Sequence, residues 1–254
     1  MGDAIWASWF DLEPDTADDT LGWLMSEHLP WLAATGPYRW VALYHNAGYG
    51  PALKDYHAIA GHAEAEEGLG TGSQYVTMVG AGSSHDFYAP LCLTRDLPAG
   101  HAARLAARKG LREAILVEEA RAPGRAAAQR RADGVPAPAI QFGSFRVDGL
   151  EAEADINCWY AQQRFRVMEA MPGCLITRKF LVSTGWARHA ILYEFESLAA
   201  RTQRFEEPEE SKINDPAEWT GRIVRTTRHT PGSPVVGERL WPPVDPAETG
   251  GGAA

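Results

Sequence analysis

WASWFDLEPDTADDTLGWLMSEHLPW, residues 6–31, has an ungapped counterpart in FGSFRVDGLEAEADINCWYAQQRFRV, residues 142–167. Trp23 faces Trp159, which sets the offset at 159 − 23 = 136. Under it Trp6-Ala7-Ser8-Trp9 faces Phe142-Gly143-Ser144-Phe145, and Asp19 faces Asp155. The chain therefore reads as two copies of one unit. A repeated unit of this kind cannot bury its apolar face alone, so each copy needs a partner. Positions at which the copies differ then point toward a site.

Working outward from the first copy, Ile5 to Leu12 alternates aromatic and small residues and predicts a strand. Glu13-Pro14-Asp15-Thr16 stops it and starts a helix over Ala17 to Ala34. Gly36-Pro37 ends that helix. Strands are predicted over Tyr38 to His45, Ser73 to Gly80 and Arg112 to Glu118, with a helix over His101 to Lys109. The second copy predicts a strand over Ile140 to Val147, a helix over Glu153 to Met171, and a stop at Pro172-Gly173. Strands Leu175 to Ser183 and His189 to Glu196 follow, joined by a hairpin at Thr184-Gly185-Trp186. A helix over Leu198 to Phe205 and a last strand near Arg222 to His229 complete it.

Each half is thus β-α-β-β-α-β, the split βαβ or ferredoxin-like unit with an antiparallel four-stranded sheet. The expected fold class is α+β: two tandem ferredoxin-like units whose bare sheet faces cover one another, as packed sheets or as a pseudo-twofold barrel. Residues 1–120 form the first unit, with an insertion over 46–72, and 139–240 form the second. Between them 121–138 reads as an Ala-, Arg-, Gly- and Pro-rich linker, and 241–254 as an extended tail.

Composition narrows the function classes. With 45% hydrophobic and 22% charged residues over 254, the chain has the material for an ordinary globular core. A formal net charge of −9 disfavours a binder of nucleic-acid backbones, so nucleic acid is not an expected partner. Three scattered cysteines, Cys92, Cys158 and Cys174, suit buried thiols in a reducing compartment better than a disulfide framework. No stretch approaches a membrane span and no signal-peptide pattern opens the chain, so a cytoplasmic location without membrane association is expected. Trp6, Trp9, Trp23 and Trp31 crowd the first 31 residues, a density that suits a core and also a pocket for a flat apolar ligand.

The motif Trp23-Leu24-Met25-Ser26-Glu27-His28-Leu29-Pro30 has a counterpart in Trp159-Tyr160-Ala161-Gln162-Gln163-Arg164. The second copy continues with Met171-Pro172-Gly173 and a strand ending Thr177-Arg178-Lys179-Phe180. In these residues both halves resemble the dimeric α/β-barrel superfamily, and within it the EthD-like proteins. The resemblance implies an internal imitation of a dimer that other members build from two chains, leaving the chain a monomer with a pseudo-dimer or a homodimer. It also implies a choice of chemistries, among them cofactor-free oxygenation of polyketide anthrones, cyclisation, lactone isomerisation and haem chemistry, so the fold leaves the reaction open.

The copies differ where it matters: Glu27-His28 in the first becomes Gln163-Arg164 in the second. Six of eight histidines also lie in the first half, so the first half is the expected seat of chemistry. His28 shares a helical stripe with Leu21, Leu24, Met25 and Leu32 and is the candidate general base, with His85 and Tyr44 as candidate catalytic partners. Trp23, Glu27 and, from the insertion, Tyr56 and His57 are candidate substrate contacts. In the second half Asn157, Tyr160 and Arg164 make a polar stripe where its twin is apolar, and Arg178 could join them in binding an anionic or phenolic ligand.

No zinc-type spacing occurs, since His57 and His62 are five apart, and no GxGxxG, P-loop or nucleophile-elbow pattern is present. A metal is not expected, and no cofactor is expected. Haem would require an axial histidine beside a large apolar cavity. The expected activity is His-based acid-base catalysis on a small apolar carbonyl compound of aromatic or polyketide-like character, by a lyase, isomerase or cyclase. Cofactor-free monooxygenation is the first alternative, and a noncatalytic small-molecule-binding or accessory protein the second.

Overall fold

The first strand, β1 (Ala4–Asp11), is buried on both faces, so its two-residue period sorts two apolar sets instead of separating core from solvent. Ile5, Ala7 and Trp9 join an inner cluster with Ile140 and Phe142 of the other half. Ala4, Trp6 and Phe10 join an outer cluster beneath the helices with Trp23 and Leu24. A sheet covered on both sides is what a barrel wrapped in helices requires. The computed structural model describes residues 3–48, 50–63, 68–93 and 95–249, without the side chains of 51–53, 57 and 249.

In the first half β1 leads to α1 (Pro14–Trp23), a π-turn (Leu24–His28) and α2 (Leu29–Thr35), then β2 (Tyr38–Asn46). The insertion carries α3 (Pro51–Ile59) and β3 (Gly61–His62). It is followed by β4 (Tyr75–Ala81), α4 (His101–Leu105) and β5 (Lys109–Pro123). In the second half β6 (Ala139–Arg146) leads to α5 (Leu150–Trp159), a π-turn (Tyr160–Arg164) and α6 (Phe165–Ala170). Next come β7 (Cys174–Thr184), β8 (His189–Phe195), α7 (Leu198–Arg201), α8 (Glu207–Glu209), α9 (Trp219–Thr226), β9 (Arg228–His229) and β10 (Val235–Trp241).

The sheet runs β10-β2-β4-β1-β5-β7-β8-β6 and closes through the pairing of β10 with β6, giving an eight-stranded barrel whose pairs are all antiparallel. Each half supplies four neighbouring strands in the ferredoxin-like order, and the seams are β5–β7 and β10–β2. The α+β class and the tandem ferredoxin-like barrel follow from this connectivity. No helix among the described residues is long and apolar enough to cross a membrane.

Several details depart from the sequence reading. The last strand, placed near Arg222 to His229, is mostly helix α9, in which Thr220, Gly221, Ile223 and Val224 are buried at helical spacing. Only Arg228–His229 pair as a strand, and the fourth strand of the unit is β10. A short apolar stretch with β-branched residues is ambiguous in period, and packing decided it. Residues 121–123 continue β5, and Val135 of the linker enters the barrel core. Part of the stretch read as a tail runs back over the barrel, where Glu248 accepts two hydrogen bonds from the buried Arg239 at 2.6 and 2.8 Å; 250–254 lie outside the described residues. Cys92 and Cys174 are buried, but Cys158 is exposed.

The repeat itself is offset by two different amounts. Helix starts give 150 − 14 = 136, whereas strand starts give 139 − 4 = 135. The second half therefore has one more residue between strand and helix, and the ungapped match of residues 6–9 with 142–145 is one residue out of phase. Because side chains alternate across a strand, that slip exchanges the two faces. Trp6 faces the helices while Phe142 faces the barrel interior, stacking on Trp9 at 5.1 Å. The structural counterpart of Trp6 is Gln141.

Candidate active site

Each half holds a cavity between its sheet and its first helix, in the same place. A π-turn in the first helical segment of each half bounds its cavity: Leu29 N–H reaches Leu24 O, and Phe165 N–H reaches Tyr160 O, each five residues back. Such single wide turns recur at functional sites because they displace the helix face by a fraction of a turn. The last residue of each π-turn, His28 or Arg164, lines its cavity. On the sheet side Trp6 and Ser8, paired with Val79 and Thr77, correspond to Gln141 and Gly143, paired with Tyr193 and Ile191.

The second-half cavity sets Gln141, Tyr160, Arg164 and Tyr193 among apolar side chains. Arg164 is buried with its guanidinium 4.6 Å from the Trp159 ring and 5.2 Å from Phe205. Its Nη1 has no hydrogen-bond partner. Around it stand three phenols. Tyr160 and Tyr193 line it side by side with Arg164, and Tyr56 Oη lies 2.5 Å from His229 Nε2, which is also 3.1 Å from Thr227 Oγ1. Burial pushes the Tyr193 phenol up to about 12 and those of Tyr56 and Tyr160 well above their ordinary value, so all three remain protonated donors. Glu210 accepts from Gln141 Nε2 at 2.7 Å and from Arg201 Nη2 at 3.2 Å. Burial raises its carboxyl, against the lowering effect of Arg201.

The roof of this cavity comes from the other half. α3 lies in the first-half insertion, yet Tyr56 lines the second-half cavity, and β3 pairs in parallel with β9. Ala60, Ile213 and Val224, with Tyr56 and Ile59 against them, form a small apolar cluster that docks the insertion. Ala63 N–H to His229 O at 2.7 Å holds its far end.

The first-half cavity is lined by His28. His28 is stacked between Trp23 and Trp31 at 5.3 and 6.0 Å, and its Nδ1 lies 3.1 Å from His101 Nδ1. One of those two nitrogens carries the hydrogen and the other accepts it. Burial first, then His101 and Arg108, lower His28 to about 4, so it is neutral at pH 7. An unfolded histidine titrates near 6.5, so between 6.5 and 4 the unfolded chain binds more protons. Stability should therefore fall as pH drops from about 6.5 to about 4, by up to about 3 kcal/mol from this residue. Urea midpoints of wild type and His28→Gln at pH 7, 5.5 and 4.5 test this. Equal pH dependence in the two proteins would remove His28 as the source.

Among the sequence-predicted residues, Tyr56, Tyr160 and Arg164 converge in the second-half cavity. His28 and Trp23 stand together in the first half, away from the other candidates. Tyr44 is inside the barrel, where its hydroxyl donates to Pro136 O and Ala137 O at 2.9 Å each, and burial raises its phenol. His85 is exposed on a short 3₁₀ turn, and Asp86 caps that turn by accepting from Ser83 N–H at 2.9 Å. The proposed partnership of His28 with His85 and Tyr44 is therefore corrected: the three lie in different layers. Glu27 is exposed, and Asn157 Nδ2 donates to Glu153 O of its own helix at 2.8 Å. Arg178 is locked in ion pairs with Glu118 and Asp3. The side chain of His57 lies outside the described residues.

Sequence reasoning missed Tyr193, His229, Glu210 and Gln141. Period-two spacing of His189, Ile191 and Tyr193 on β8 was the one available signal. Among the described residues no group of three or more His, Cys, Asp or Glu side chains is placed to hold a metal ion. A haem in the second-half cavity would need an imidazole nitrogen facing a wide apolar wall. His229 Nε2 is engaged by Tyr56 and Thr227, and a buried guanidinium projects into the space, so these residues do not fit a haem.

No family model matches the chain, and no curated protein is similar to it in sequence. Its similarity lies with solved structures. An anthrone oxidase-like protein superposes with a TM-score of 0.52 at 12% identity, over 94% of this chain and 90% of that one. A putative monooxygenase from Fusobacterium nucleatum gives 0.52 at 8% identity, over 94% and 93%. A putative chlorite dismutase gives 0.50 at 10% identity, over 99% and 98%. These likenesses define the fold as a dimeric α/β barrel whose two ferredoxin-like units are carried here on one chain.

Proposed function

We propose that the second-half cavity binds the oxyanion of a small, largely apolar, phenolic or enolisable compound of polyketide-like character, and that the chain is a cofactor-independent oxygenase. The observation that carries the reading is the buried Arg164 guanidinium, which donates no hydrogen bond to protein among the described residues. A buried cation without an acceptor is costly unless a ligand supplies the charge. Phe145, Ile156, Ile191 and Ile223 give the apolar lining that excludes water. The names of two structural neighbours, an anthrone oxidase-like protein and a monooxygenase, favour oxygenation over the lyase or isomerase reading. On the motif Trp23 to Pro30 we place the chain near the EthD-like members of the fold.

In this mechanism Tyr56, hydrogen-bonded to His229, takes the proton from a methylene next to a carbonyl while passing its own to His229 Nε2. Arg164 holds the resulting enolate oxygen, and Tyr160 or Tyr193 donates to it. The carbanion carbon gives an electron pair to O2 and a C–O bond forms. Loss of the second C–H proton with O–O cleavage leaves a new carbonyl and one water, so one O2 is reduced per methylene oxidised.

The test is oxygen uptake with a hydroxyanthrone in chelator-treated buffer, together with fluorescence titration under anaerobic conditions. Expected are saturable binding, one O2 consumed per carbonyl formed, and a loss in kcat of roughly 10²–10⁴ in Tyr56→Phe. Binding with solvent-proton exchange but no oxygen uptake would return the chain to the isomerase or lyase class. Neither binding nor exchange would end the proposal.

A further inference from the structure

The first-half cavity keeps the position of its twin but changes the charge on its walls. Arg108 lines it, with Nε donating to Leu105 O at 3.1 Å and the guanidinium 5.6 Å from the Phe10 ring. Its terminal amino groups donate to no protein acceptor among the described residues. Glu113 of β5 shares the cavity. One of its oxygens accepts from Ser8 Oγ at 2.8 Å, and the other accepts no protein hydrogen bond among the described residues. The two charges are near enough for Glu113 to favour the Arg108 cation, against burial that disfavours it. Yet they form no ion pair within 4.0 Å.

Opposite charges that face one partly buried space without touching keep their free donors and acceptor open to solvent or to a ligand. The arrangement rewards a ligand that reaches both. An anion would gain at Arg108 and lose at Glu113, and a cation would do the reverse. A neutral group with an acceptor and a donor side by side gains at both walls. Trp6, Leu32, Val79 and Leu105 supply the apolar surface for the rest of such a molecule. In the second half the balance differs, because Glu210 is already held by Arg201 and Gln141 and Arg164 has no such partner.

We infer that the first-half cavity is a second small-molecule site, selective for a neutral, planar donor–acceptor group such as a primary carboxamide on an apolar or aromatic body. The carbonyl oxygen accepts from Arg108, and the amide N–H donates to Glu113. This site is separate from the proposed oxygenase site and stands without it.

Benzamide and benzoate are the probes, read on the Trp6 indole N–H signal in wild type and in Glu113→Gln. Benzamide is expected to shift that signal saturably and to bind at least tenfold more tightly than benzoate. Glu113→Gln should invert the order, weakening benzamide and strengthening benzoate by removing the repelling carboxylate. Val79→Phe, which fills the cavity, should abolish both responses, while Ile191→Phe in the other cavity should leave them unchanged. Equal affinities for the two probes in wild type, or an order unchanged in Glu113→Gln, would overturn the assignment. So would a Trp6 signal that neither probe moves up to its solubility limit.

Discussion

Arg164→Met is expected to weaken binding of a phenolate or enolate by about 30- to 1,000-fold, corresponding to roughly 2–4 kcal/mol for a lost buried charge contact, and yet to leave the fold as stable as before or more so. The guanidinium donates no hydrogen bond to protein among the described residues and sits against two aromatic rings. Methionine keeps the packing against Trp159 and Phe205 and removes an incompletely compensated charge. Replacing a buried ionic group by an apolar one of similar volume is often neutral or stabilising by about 1–4 kcal/mol. Fluorescence titration and urea unfolding on the same sample separate the two effects. A variant that loses several kcal/mol of stability while binding normally would make Arg164 a structural residue. Arg164→Lys should restore binding only in part, because a point charge does not reproduce the planar donor fork.

Arg178→Met is expected to behave in the opposite way, costing roughly 3–5 kcal/mol of stability, because it removes one partner of a buried ion-pair cluster. Arg178 on β7 is almost wholly buried and donates to Glu118 Oε2 from Nε at 3.1 Å and from Nη2 at 2.7 Å. It also reaches Asp3 at 3.3 Å, and its Nη1 lies 3.9 Å from the fully buried Glu194. These contacts cross the β5–β7 seam, where the two halves join. Without the guanidinium, Glu118 and Glu194 lose a compensating charge in the interior. A lower urea midpoint with an unchanged slope is the expected readout, and the double variant Arg178→Met with Glu118→Gln should recover part of the loss. A loss below about 1 kcal/mol would mean the seam does not depend on this cluster. Two buried arginines, both candidates for ligand binding from sequence, are thus separated by their partners: Arg178 has carboxylates and Arg164 has space.

The sequence carried the tandem architecture because Trp23 and Trp159 mark the same point on two helices that both end in π-turns. It carried the polar stripe of Tyr160 and Arg164 because a helical period repeats every turn and can be read locally. It did not carry β10, since Thr220 to Val224 is short and apolar enough to suit either period. Nor did it carry the one-residue slip between strands and helices, since aromatic residues lie on both faces of a doubly buried strand. The histidine-rich first half drew attention to His28, His85 and Tyr44, which the fold separates into a helix layer, an exposed turn and the barrel interior. Tyr193, His229 and Glu210 come from three distant elements, and nothing in their local sequence ties them together.

By itself, then, the sequence determined a doubled ferredoxin-like chain with unequal copies, because periodicity and repetition are local properties that survive without coordinates. Tertiary structure alone decided which residues share a cavity. The insertion of the first half crosses to roof the second, bringing Tyr56 onto His229 beside Arg164, and that contact joins residues 173 positions apart. Backbone pairing of β3 with β9 and burial of Ala60, Ile213 and Val224 set that crossing, and neither leaves a signature in the order of the residues.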